Sequence, residues 1–170
     1  MSTEKPYVIL APHVDDEVIG CWRLLDQGKV RGVSYFFNLS SERINESWDC
    51  SAKYGFEVLD GLYDVKPDDI LLVPNIADYH PHHKHVNHMV RNVANRVYYY
   101  SVDMNVAMQV LPEFAQEQKK KDLMKLFPSQ QELLRSTQKY YLFESLLETD
   151  WVQMRIKEDG LERVVMVKPE

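Results

Sequence analysis

The chain has 170 residues, 45% of them apolar and 27% charged, with a formal charge of −6 and a pI near 5.5. That length and composition support one buried core and exclude global disorder, so residues 1–170 read as a single domain. The acidic balance and the absence of a long basic run argue against a phosphate-gripping surface, so duplex nucleic acid is not an expected partner.

Tyr7-Val8-Ile9-Leu10-Ala11 is a wholly apolar run ending at Pro12, the pattern of a strand covered on both faces of a parallel sheet. From Asp16 to about Gln27, Val18, Ile19, Cys21, Trp22, Leu24 and Leu25 fall at helical spacing, and Gly28 closes the segment. Residues 30–37 are rich in β-branched and aromatic side chains and predict a strand. Ser40 or Ser41 then caps a helix running to Tyr54, with Gly55 as its stop. Short strands are predicted at 56–59 and 69–73, a helix at 86–96 and a strand at 97–102. The resulting β-α-β-α-β-β-α-β order predicts an α/β fold: a Rossmann-like, mainly parallel sheet with helices on both faces. The last part of the chain reads as mainly helical, over 112–127 and 130–148, followed by a terminal β-hairpin of 151–156 and 161–167 around Asp159-Gly160.

Cys21 and Cys50 are the only cysteines, too few for a disulfide framework, and they read as reduced packing residues. The opening residues lack the apolar segment of a signal peptide, and no stretch of roughly 18 apolar residues occurs, so no membrane span is expected. A cytoplasmic location is the default expectation. Lys119-Lys120-Lys121 reads as a solvated helix face. Arg43 and Glu46, three apart on a helix, read on spacing alone as an ordinary surface pair.

Chemistry concentrates in two places. The first predicted strand leads directly into His13-Val14-Asp15-Asp16-Glu17, which crowds one imidazole and three carboxylates at a strand's carboxyl end, where open parallel sheets bind ligands. Acids at a helix N-terminus are favourable to its dipole by about 0.3–1 kcal/mol each, which is the plain reading of this segment. A bound cation would relieve the repulsion among them, and imidazole with carboxylate suits zinc, as well as iron, nickel or cobalt. The second place follows the apolar run 69–73. Five of the six histidines lie there: His80, His82, His83, His85 and His88. The plain reading is a histidine-rich loop that binds metal loosely. The functional reading is that one or two of these imidazoles complete a metal site begun by the first segment.

These two segments resemble the signatures of the PIG-L/LmbE-like zinc-dependent N-deacetylases. The family's His-Pro-Asp-Asp-Glu is similar to His13-Val14-Asp15-Asp16-Glu17, with Val14 in place of Pro. Its His-x-Asp-His is similar to His80-Pro81-His82-His83, with His82 in place of Asp. Arg43-Ile44-Asn45-Glu46 resembles the family's Arg-x-x-Glu, and Lys121 to Gln130 resembles its lysine-rich helix closing in Ser-Gln. The resemblance implies that His13, Asp16 and His83 hold one divalent ion, Zn2+ foremost. It makes Asp15 the general base, has His80 stabilise the oxyanion, and has Arg43 line the substrate pocket. The implied reaction removes an acetyl group from an N-acetylated amino sugar or conjugate, using metal-activated water. His82 in place of the family's Asp implies loss of a partner that would orient a ligating histidine, and leaves His82 and His85 as rivals to His83. Tyr79, Trp48, Tyr99 and Tyr100 are candidates to stack on a sugar, each with a plainer role in strand or core. A hydratase, or a non-catalytic small-molecule-binding member of the same fold, is the alternative function. A homo-oligomer is compatible with all of this.

Overall fold

The structure is a computed structural model that describes residues 4–102, 109–148 and 152–167. Strand β1 (Tyr7–Ala11) forms where five apolar residues run together, and Val8 to Ala11 are fully enclosed. The chain continues through α1 (Asp16–Asp26), β2 (Val30–Tyr35), α2 (Ser41–Tyr54), β3 (Glu57–Leu59), β4 (Ile70–Pro74), α3 (Pro81–Met89) and β5 (Val97–Tyr100). Then come β6 (Gln109–Val110), α4 (Glu113–Leu126), α5 (Gln131–Ser136), α6 (Lys139–Leu142), β7 (Phe143–Glu144) and β8 (Leu146–Leu147). A six-stranded sheet has the order β3-β2-β1-β4-β5-β8, parallel throughout except where β8 joins β5.

This order places the site. The chain first winds outward from β1 through β2 to β3, then returns to the other side of β1 and winds outward again through β4 and β5. β1 therefore pairs with β2 on one side and with β4 on the other, as at Val8↔Gly32 and Val8↔Leu71. The carboxyl ends of β1 and β4 stand side by side at this reversal, the place where such sheets leave a crevice. Alternation along β1 divides the core. Ile9 and Ala11 pack with apolar residues of α1, α2 and α4, while Val8 and Leu10 pack with Val86 and Val90 at α3. Helices thus cover both faces of the sheet.

Helix α1 is bent at Cys21, where φ is −132° and ψ 23°. The Ile19 carbonyl accepts from Lys119 Nζ at 2.5 Å, and the Arg23 N–H donates to Glu144 Oε1 at 3.1 Å. Side chains have entered the helical ladder, a recognised cause of a kink. Lys119 is therefore not part of a solvated face: it is fully buried, and burial pushes its ammonium down to about 8. Lys120 and Lys121 are exposed. Cys21 and Cys50 are buried free thiols. Close to the bend, Gly20 lies against the ring of Tyr100, whose hydroxyl donates to the Leu10 carbonyl at 2.9 Å. A methyl at Gly20 would overlap that pinned ring. Gly20→Ala is expected to lower stability by about 1–3 kcal/mol, read as a lower denaturant midpoint.

Two predicted elements are corrected. The third helix starts at Pro81, not at residue 86, because the His80 side chain accepts from the His82 N–H and Pro81 takes the first helical position. It ends at Met89, and Asn95, placed in the helix by periodicity, instead donates to the carbonyls of Lys66 and Asp69. The segment 130–148 is helical only to Leu142. Beyond it, β7 pairs with β6, and β8 covers the open edge of β5 through Tyr99↔Leu147. An unpaired edge ladder outweighs helical propensity there. Further on, β9 (Val152–Glu158) and β10 (Leu161–Val167) pair antiparallel from Leu161↔Glu158 to Val167↔Val152. Trp151, placed in the first of these strands by sequence, lies outside the described residues. Among the described residues no helix is long and apolar enough to cross a membrane.

Candidate metal centre

The first half of the site is a strained bend at the exit of β1. Asp15 has φ 131° and ψ −27°, a conformation that side-chain-bearing residues rarely adopt. Two contacts hold it there. The Asp15 N–H donates to Glu17 Oε2 at 2.9 Å, and its carbonyl accepts from Val18 and Ile19 to begin α1. Glu17 is fully buried; burial raises its carboxyl to about 7 against the opposing hydrogen bond from Tyr35, whose hydroxyl donates to Oε1 at 2.7 Å. The bend sends the neighbouring carboxylates to different partners. Asp16 Oδ2 lies 3.1 Å from His13 Nδ1 and accepts from the His13 N–H at 2.9 Å. Asp15 Oδ2 lies 3.1 Å from Arg43 Nη2.

The second half comes from the exit of β4 and the first turn of α3. His83 is buried, with Nε2 at 3.2 Å from Asp16 Oδ2 and Nδ1 at 3.0 Å from Asp78 Oδ2. Asp78 is fully buried and also accepts from Ser101 Oγ and the Val102 N–H. His13, Asp16 and His83 each offer one ligand atom, all within 4.8 Å of one another, and so form a group able to hold a metal ion. In a tetrahedral zinc site the ligand atoms stand roughly 3.3 Å apart, close to the two separations measured from Asp16. Two imidazoles and a carboxylate are also the right donor chemistry, and Asp78 on the far nitrogen fixes His83 in the orientation that ligation needs. The orienting carboxylate that His82 appeared to cost is therefore present, supplied from Asp78.

His13, His80 and His82 form a second such group, also within 4.8 Å. His13 Nε2 lies 2.8 Å from His82 Nδ1, and His82 stacks on Phe37 with centroids 3.9 Å apart. His85 meets Phe37 edge-on and is exposed, as is His88; neither belongs to either group. Of the five clustered histidines, His83 is the one beside Asp16, while His82 meets the other ring nitrogen of His13.

Arg43 is buried. Its Nη1 donates to Glu46 Oε2 at 2.7 Å and to Ser129 Oγ at 3.0 Å, while Glu46 Oε1 accepts from the Ser129 N–H at 2.8 Å. The Arg43–Glu46 pair is therefore an internal clamp between α2 and the turn after α4, not a surface pair. His13, Asp15, Asp16, Arg43, His80 and His83 all line one cleft of about 670 Å³. Asn38, Ser40 and Gln130 add polar walls, and Leu39, Leu133 and Tyr140 apolar ones. Of the aromatic candidates, Tyr100 is a core residue, and Tyr79, Trp48 and Tyr99 do not line the cleft. Tyr140, the aromatic side chain that does, sits on α6 and carries no sequence signal.

Electrostatics divides the carboxylates. Burial and the adjacent Asp16 push the Asp15 carboxyl up, with Arg43 opposing. Burial also works against ionised Asp16, but His83 and His13 hold its carboxyl well below the usual range. Burial would depress His83; Asp16 and Asp78 on either side raise it instead to about 10. At neutral pH the metal-free His83 carries a proton that an incoming ion must displace. Zn2+ affinity is therefore expected to rise with pH through the neutral range, with at least the His83 proton released per ion. Calorimetry in buffers of different ionisation enthalpy reads that proton directly.

No protein-family model, curated protein or solved structure matches the chain.

Proposed function

We propose that the protein is a metal-dependent hydrolase of the PIG-L/LmbE type, built on a Rossmann-like scaffold, that removes the acetyl group from an N-acetylated amino sugar or its conjugate. The observation that carries this reading is the convergence of His13, Asp16 and His83 in one cleft with Asp15 beside them and outside the ligand group. A divalent ion held by those three, Zn2+ foremost, supplies Lewis acidity and brings the pKa of a water towards about 7.

The chain's own residues account for the proton traffic. Asp15 takes the proton of the attacking water as its oxygen bonds to the amide carbon. A carboxyl raised by burial and a neighbouring charge suits a group that must first accept and then return a proton. His80 Nδ1 accepts from the His82 N–H at 3.1 Å, which leaves Nε2 to carry the ring proton. His80 therefore donates from Nε2 to the developing oxyanion as a neutral imidazole, a contribution of about 3–4 kcal/mol for such a donor. Asp15 then delivers its proton to the amine nitrogen as the carbon–nitrogen bond breaks, giving acetate and a free amine. Arg43 lines the pocket and holds Asp15 in place. Its guanidinium already faces Asp15 and Glu46, which favours a neutral substrate over an anionic one. A sugar suits the remaining walls, with polar side chains for hydroxyls and Leu133 and Tyr140 for the apolar faces.

The test is acetate release from N-acetylglucosamine and its conjugates by zinc-loaded protein. Activity should vanish with a chelator and return with Zn2+. Absence of acetate from every N-acetyl sugar tried, with stoichiometric metal in place, overturns the reading.

A further inference from the structure

We propose that Ile19 and Val102 form the floor of an acyl pocket that admits an acetyl group and excludes longer acyl chains, an inference that rests on the hydrolase reading above. The apolar walls of the cleft are Ile19, Leu39, Val102, Leu133 and Tyr140, and burial sorts them. Leu39 and Leu133 are 44% and 45% exposed and stand at the mouth. Ile19, Val102 and Tyr140 are buried and belong to one apolar core cluster. Two of these three are tied directly to the candidate metal group. Ile19 lies one turn along α1 from Asp16, and its N–H donates to the Asp15 carbonyl at 2.9 Å. The Val102 N–H donates at 3.1 Å to Asp78 Oδ2, the same oxygen that meets His83 Nδ1 at 3.0 Å.

Amide hydrolysis decides which half of a substrate meets that floor. The carbonyl carbon must come beside Asp15 and the metal group, and its two substituents then point apart. A sugar or its conjugate is bulky and rich in hydroxyls, so it takes the open side, where Asn38, Ser40 and Gln130 offer polar partners. The acyl substituent is left with the floor, where a methyl leaves water against Ile19 and Val102. The floor does not yield easily. Both residues are β-branched and stiff at χ1. The Ile19 backbone is held on both sides, its N–H by Asp15 and its carbonyl by Lys119 Nζ at 2.5 Å, and Val102 is held by the fully buried Asp78. An extra methylene would press on a close-packed core, which tolerates added volume poorly.

The test compares acid release from N-acetylglucosamine and N-propionylglucosamine by the zinc-loaded full chain. In the wild type kcat/KM should be at least about tenfold lower for the propionyl amide. Val102→Ala and Ile19→Val each deepen the floor and should each raise the propionyl-to-acetyl ratio by about tenfold or more. Leu133→Ala, at the mouth, should leave the ratio unchanged. The ratio compares two substrates on one protein, so a general loss of fold or metal does not move it. Calorimetric binding of acetate and propionate to the zinc-loaded chain reads the same pocket without turnover, and propionate should bind more weakly except in the two floor variants. Equal cleavage of both amides by the wild type, a ratio that either floor variant leaves unchanged, or a ratio raised by Leu133→Ala overturns the pocket and leaves the hydrolase standing. No acid from either amide, with acetate still preferred over propionate and Val102→Ala removing that preference, upholds the pocket and removes the hydrolase reading. No acid and no preference between the two carboxylates overturns both.

Discussion

Replacing His83 with alanine is expected to strip the ion from the first group and abolish acetate release, and also to lower stability by about 3–5 kcal/mol. His83 lies between two buried carboxylates, with Nε2 at 3.2 Å from Asp16 and Nδ1 at 3.0 Å from Asp78, and its side chain is 3% exposed. Removing the ring takes away one of three ligands and leaves both carboxylates without their shared partner. Asp78→Asn separates the two effects. It keeps the shape and the two ligands His13 and Asp16 while removing the charge that supports His83, with a smaller loss at the Ser101 and Val102 hydrogen bonds, so Zn2+ affinity should fall about 10–100-fold while the maximal activity at saturating zinc largely persists. Metal analysis and denaturant unfolding of both variants, side by side, read the difference. Full retention of the first equivalent by His83→Ala would sink the assignment of this ligand.

Most of the sheet was legible because its strands are buried on both sides. An uninterrupted run such as Tyr7–Ala11 or Ile70–Pro74 has few other stable uses in a short domain. Ser40 and Gly55 bounded α2 correctly for local reasons: the Ser40 hydroxyl accepts from the Arg43 N–H, and Gly55 takes φ 69°. The failures are tertiary. Leu146 and Leu147 have no local reason to be extended until the edge of β5 is there to pair with them. Lys119 reads as surface because nothing in its neighbours announces the bent helix whose Ile19 carbonyl it reaches, 100 positions away in sequence.

The candidate metal group was legible to the degree that its members are local to strand ends. His13 and Asp16 follow β1 immediately, His83 follows β4, and the reversal of strand order between β1 and β4 brings the two exits together. What sequence could not supply was the supporting layer. Asp78 stands five positions before His83 and looks like any loop acid; only the fold buries it against Ser101, Val102 and the His83 ring. The link from Arg43 through Glu46 to Ser129 spans 86 positions, and the likeness to a family pattern named its members without indicating that they touch.

Asp15→Asn is expected to keep the metal, keep the fold and lower kcat by about 10²–10⁴-fold, the usual contribution of a positioned general base. Asparagine is nearly isosteric and tolerates positive φ as well as any residue with a side chain, so the bend at φ 131° should survive. It also removes the repulsion between Asp15 and Asp16, and Arg43 retains Glu46 as a charge partner. Stability should therefore be unchanged or slightly higher, and the first equivalent of Zn2+ should bind with its affinity intact or improved. Loss of rate without loss of metal or fold is the signature that distinguishes a proton carrier from a ligand or a structural acid. The measurement is kcat and KM for acetate release together with metal content and unfolding midpoint. A variant within threefold of the wild-type rate would mean that another group takes the proton. Glu17 could not take over in place, because its carboxylate is committed to the Asp15 N–H and the Tyr35 hydroxyl beneath the bend.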